Sequence, residues 1–116
     1  MKLLLRADAG PSIGVGHLAR MTALAEEARA RGHDVVIAST ETVDLFDRRL
    51  RAGGVVASPL DVVAGSIADA AATRTLATAF GADVVVADGY TLGPAFVAEV
   101  RAIAPVVVVD DTDGGR

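Results

Sequence analysis

The 116-residue sequence contains no cysteine and no tryptophan, a single tyrosine, and only 3% aromatic residues. The missing cysteine excludes disulfides and thiolate metal sites and is compatible with a reducing cytoplasm, the expected location. With aromatics scarce, the core must be built from alanine and branched aliphatics, with Phe46, Phe80 and Phe96 as its bulky members. No apolar run approaches the roughly 20 residues of a membrane-spanning helix, so no membrane span is expected. Leu3-Leu4-Leu5 behind Lys2 is too short for a secretion signal. Basic residues are outnumbered 11 to 15, and the net charge of −4 argues against a nucleic-acid partner. A few arginines and helix-start amides can still receive a small anion. At 52% hydrophobic content the chain is not disordered, and its length allows one domain.

What is present alternates. KLLLR reads as a strand, and LARMTALAEEARAR as a helix with Leu18, Met21, Leu24, Ala25 and Ala28 on its apolar side, stopped by Gly32. DVVIAS follows as a strand. TVDLFDRRLRAG is a second helix, with Val43, Phe46 and Leu50 on one face and Gly53-Gly54 at its end. VVASPL is a short strand that Pro59 assigns to a sheet edge. SIADAAATRTLATAF forms a third helix, capped by Ser66, with Asp69 in a capping-box position and Gly81 as the stop. ADVVVAD is a strand, PAFVAEVRAIA a helix with Pro94 near its start, and PVVVVDD a last strand. The unbroken valine runs predict strands covered on both faces. This β-α-β-α-β-α-β-α-β order specifies an α/β parallel sheet with helices on both faces.

Ligands of such sheets bind outside the carboxyl ends of the strands. That rule collects Arg6, Asp8, Gly14, Gly16, His17 and Arg20 after the first strand. It adds Asp88 and Tyr90 after the fourth strand and Asp110 and Asp111 after the fifth. Gly14-Val15-Gly16 resembles a dinucleotide turn only superficially. The connection is long, Ala19 stands at the third glycine position, and the second strand ends Ala38-Ser39-Thr40 without the acid that would hold a ribose. There is no Walker lysine and no HExxH or EF-hand spacing, so neither a nucleotide cofactor nor a metal is expected.

His17 enters at a helix start, where the free amides disfavour the imidazolium. A neutral histidine there is either a first-turn hydrogen-bonding residue or a general base, with Asp8 or another strand-end carboxylate orienting it. Arg20, three positions on, shares its side of the helix and is a candidate anion-facing group. His33, after the Gly32 stop, reads as a surface turn.

RADAGPSIGVGHLARMTALAEEARARGHDV resembles the amino-terminal signature of the UDP-sugar hydrolases of pseudaminic acid biosynthesis and of related spore-coat polysaccharide proteins. The pseudaminic acid enzymes act on UDP-2,4-diacetamido-2,4,6-trideoxy-β-L-altropyranose. The shared pattern is an Arg-x-Asp strand end, a loop ending Gly-x-Gly-His, an arginine three residues on, and a helix ended by Arg-Gly-His. VVVADGY and VVVVDD resemble the family's later strand ends. The resemblance implies a Rossmann-like three-layer domain, equivalent to the amino-terminal domain of a two-domain GT-B-like enzyme. A carboxyl-terminal domain that holds the nucleotide would lie outside this sequence. It further implies a UDP-linked amino sugar as substrate and His17 as the base that activates water, on a loop shaped by Gly14 and Gly16. Arg6, Asp8, Arg20, Asp88, Tyr90 and Asp111 would line or support the cleft. The alternatives are a glycosyltransferase, with an acceptor hydroxyl in place of water, and a non-catalytic sugar or nucleotide binding module. Two departures bear on the sugar. Gly89 stands where the family commonly has histidine, and Thr91-Leu92-Gly93-Pro94 replaces a Gly-Leu-Asp pattern.

Overall fold

The alternating apolar runs fold into nine elements in the computed structural model, which describes residues 1–8, 16–89 and 91–109. They are β1 (Lys2–Ala7), α1 (Gly16–Ala30), β2 (Asp34–Ser39), α2 (Asp44–Ala52), β3 (Val56–Pro59), α3 (Ile67–Phe80), β4 (Val84–Asp88), α4 (Pro94–Arg101) and β5 (Val106–Val109). The five strands are all parallel, in the order β3-β2-β1-β4-β5. The chain winds outward from β1 to β3, then crosses back through α3 to lay β4 on the other side of β1. That reversal makes the ends of β1 and β4 the topological switch point, where sheets of this kind form their ligand crevice.

Strand alternation decides what each face buries. Leu5, Ala7, Val35, Ile37 and Val86 pack against α1 and α2, with Leu18, Met21, Phe46 and Leu50 filling the layer. Leu4, Val36, Ala38, Val85, Ala87 and Val106 face α3 and α4, against Ala70, Ala77, Phe96, Val97 and Val100. The result is a three-layer α/β sandwich. The same parity sends Arg6 to the α3 side with Leu4, and Asp88 to the α1 side with Val86.

The ends of the helices follow local chemistry. Ser66 caps α3 by accepting the Asp69 amide at 3.1 Å. Gly81 closes it at φ 74°, donating to the carbonyls of Ala77 and Thr78. Asp44 and Asp47 in the first turn of α2, and Arg49 and Arg51 in its last, match the helix dipole. The helix predicted through Ala104 stops at Arg101. Ile103 and Ala104 both turn back to the Val100 carbonyl, and Pro105 disfavours helical geometry in the residue before it.

Three expectations need correction. Leu24 is 38% exposed rather than part of the apolar side of α1. β5 is not covered on both faces: it lies at a sheet edge, and Val107 and Val108 are 52% and 44% exposed. Phe80 is only partly buried, with the Lys2 ammonium 5.3 Å above its ring. Pro59 does sit on an edge strand, as predicted. Among the described residues no helix is long and apolar enough to cross a membrane.

Candidate active site

His17 is the second residue of α1, and Asp88 is the last of β4. Register sets them together, because Ala7 pairs with Asp88 and the ends of β1 and β4 are level. Asp88, on the α1 side by parity, brings Oδ1 to 2.6 Å from His17 Nδ1. Arg20, one helical turn along, donates Nε to Oδ2 at 2.8 Å and Nη2 to Oδ1 at 2.9 Å. Nη2 also comes within 2.9 Å of His17 Nδ1. These contacts cannot all be hydrogen bonds at once, since Nδ1 either carries a hydrogen or accepts one. We assign Nδ1–H to His17 as the donor to Asp88, the shorter contact, with Arg20 forked onto the same carboxylate. In the neutral ring this leaves the basic lone pair on Nε2. His17 is 7% exposed and Asp88 1%, so the pair sits in a low-dielectric seam at the rim.

Arg20, on the same side of α1 as His17, thus forks onto the Asp88 carboxylate. Asp8 is not the partner of His17. Its Oδ1 instead accepts Arg6 Nη1 at 2.9 Å and the amides of Thr40 and Glu41 at 2.5 and 3.3 Å. The end of β2 is thus tied inward, and Ser39 Oγ likewise donates to the Ala7 carbonyl.

Arg6 is fully buried, a position compatible with supporting a cleft from beneath. Its Nε and Nη2 donate to Asp69 Oδ1 and Oδ2 at 3.1 and 2.6 Å. Burial alone would lower its pKa; the hydrogen bonds to Asp69 and then Asp8, with their charges, outweigh that and raise it. A raised folded-state pKa contributes stability in full below the unfolded value, and that stability is lost only in strong alkali. Arg6 therefore brings no pH dependence near neutrality.

Asp69 is the residue that sequence reasoning missed. The capping-box reading gave it a local role, but its carboxylate reaches past Ser66 to the Gly65 amide, the Thr73 hydroxyl and Arg6. A signal existed: an arginine inside an apolar strand needs a buried acid, and Asp69 is the only acidic residue in α3.

Gly16 opens α1 without a left-handed φ, and a Cβ there would meet none of the described residues. Gly89 has a backbone need for glycine: its φ is 152°, a region that L side chains rarely adopt. Gly14, Tyr90, Asp110 and Asp111 lie outside the described residues. His33 accepts a contact from the amino terminus at 2.9 Å, away from the rim. Among the described residues no three histidine, aspartate or glutamate side chains converge as a metal-holding group. A concavity of about 440 Å³ beside edge strand β3, lined by Ile37, Thr42, Leu50 and Arg51 among others, includes no predicted site residue.

No family model matches the chain, and no curated protein does. Solved structures do resemble it. A glycosyltransferase from Rickettsia africae superposes with a TM-score of 0.69 at 13% identity, over 92% of this chain and 28% of its own. Glycinamide ribonucleotide transformylase 1 from Symbiobacterium toebii gives 0.65 at 20% identity, over 93% of this chain and 50% of its own. A universal stress protein in complex with cAMP gives 0.57 at 18% identity, over 94% of both chains. The chain thus spans about a quarter and a half of the first two. At these identities the likeness is one of fold: a three-layer, parallel-sheet Rossmann-like α/β domain resembling the amino-terminal domains of GT-B enzymes.

Proposed function

We propose that this chain is the base-bearing module of an enzyme that breaks the anomeric bond of a nucleotide-linked sugar. The observation that carries the reading is the His17–Asp88–Arg20 cluster at the β1–β4 crevice, the ligand position of this fold. Asp88 orients the ring and stabilises the imidazolium that forms when Nε2 takes a proton. An oxygen nucleophile loses its proton to Nε2 as its oxygen bonds the anomeric carbon. The sugar–phosphate bond breaks, and the nucleoside diphosphate departs with its electron pair. A diphosphate leaves readily, so one base suffices where an ordinary glycosidase needs two carboxyl groups.

The nucleophile separates two readings. The fold likeness to a glycosyltransferase favours an acceptor hydroxyl, hence glycosyl transfer. The resemblance of the Gly-x-Gly-His loop and the Asp-x-Tyr strand end to the UDP-sugar hydrolases favours water, hence hydrolysis of a UDP-linked diacetamido-trideoxy sugar. The test uses the full-length protein with UDP-sugars and follows UDP release with and without a saccharide acceptor. Acceptor-dependent release supports transfer, and acceptor-independent release supports hydrolysis. In either case His17→Asn is expected to lower turnover by roughly 10² or more at nearly unchanged KM. Parent-like turnover in that variant overturns the base assignment. Tight UDP-sugar binding without turnover in the parent indicates a binding module.

A further inference from the structure

Beneath the rim, Arg6, Asp8 and Asp69 form a triad that is at most 5% exposed and bonds the β2–α2 and β3–α3 loops. Asp8 holds the β2–α2 loop through the amides of Thr40 and Glu41. Asp69 holds the β3–α3 loop through the Gly65 amide at 2.8 Å. Gly65, at φ 77°, is pressed so closely on the Thr91 carbonyl that a Cβ there would collide with it. Thr91 belongs to the loop that leaves β4 directly after Asp88. Arg6 joins the two acids, with three of its bonds between 2.6 and 3.1 Å.

We infer that Arg6 and Asp69 are positioning residues that lock these loops into one unit, and so set Asp88 against His17. Replacing a buried ion cluster by well-packed apolar side chains is often neutral or stabilising, so net stability is a weak reason for this one, and the positioning of the loops is the role we assign it. A structural filler would need neither the forked Arg6–Asp69 geometry nor the further bonds to Gly65 and Thr73. The placement of the loops stands on these bonds alone; calling the unit an active-site frame rests on the function proposed above.

The test replaces the pair as a unit, Arg6→Met with Asp69→Leu, in the full chain, and reads residue-resolved amide exchange together with turnover. The informative amides are Thr40, Glu41, Ser66 and Leu92, none of which bonds Arg6 or Asp69 directly. Exchange faster by tenfold or more at all four, with strand amides protected as in the parent, supports the lock. Acceleration confined to Gly65 and its immediate neighbours overturns it, as does parent-like exchange. If the double variant does not fold, Thr73→Val, which removes one bond to Asp69, carries the same test with a smaller parallel acceleration. Turnover separates the two proposals. Loosened loops with turnover down tenfold and KM little changed support both. Loosened loops around a parent that never turned over a UDP-sugar keep the lock and remove the function. Loosened loops with parent-like turnover overturn the positioning role.

Discussion

Thr22 is fully buried in α1, and its Oγ1 has no hydrogen-bond partner among the described residues. A buried hydroxyl left unsatisfied costs stability, whereas a methyl in its place costs none of that desolvation. Thr22→Val is therefore expected to raise the urea midpoint, by about 1 kcal/mol of stability. A loss of similar size would show that the hydroxyl has found a partner. At this scale the site was partly legible in the sequence. The spacing of His17 and Arg20 placed them on one side of a helix, and the strand-end rule picked out Asp88. His17's partner was left open between Asp8 and another strand-end carboxylate. Asp8 and Asp88 both end strands, and only the parity of their strands separates them, one toward α3 and the other toward α1. Asp69 was hidden because its local cap is a complete explanation until the fold brings Arg6 to it.

Among the elements, α3 depends most on its ends. Its buried side is made of small and polar residues, Asp69, Ala70, Thr73 and Ala77, and its larger side chains Leu76 and Phe80 pack against the core only in part. The Ser66 cap is also where the Asp69 network begins. Ser66→Ala should cost about 1 kcal/mol in thermal or urea unfolding, on the usual scale of a lost N-cap. No measurable loss would mean that the Gly65–Asp69 bond alone fixes the helix start. Element order and type could be read from periodicity because each apolar run was either short and β-branched or long and amphipathic. The misreadings came where neighbours decide. PVVVVDD reads as a doubly covered strand, but coverage depends on sheet position, which no local pattern states. PAFVAEVRAIA stays apolar past Arg101 although the helix has ended: Ala102 and Ile103 lie exposed in the turn and only Ala104 is buried.

For the whole molecule, the sheet separates two cores that share little beyond its backbone. Ile37 is packed on the α1–α2 side and Val100 on the α3–α4 side, both essentially inaccessible. Ile37→Val and Val100→Ala should cost about 1 and about 2 kcal/mol, and the double variant their sum within about 0.5 kcal/mol. A clear departure from additivity in chemical denaturation would show that strain passes through the sheet. The crossover that creates the crevice also divides the charged cluster. Arg6, Asp8, His17 and Arg20 belong to the half of the chain before α3, while Asp69 and Asp88 belong to the half after β3; His17 and Asp88 are 71 positions apart. On a ribosome the first half can pair β2 with β1 and β3, yet the acids that complete the cluster have still to be translated. The ring-to-carboxylate contact is therefore a record of assembly, formed only in a chain whose fourth strand has slotted in beside its first.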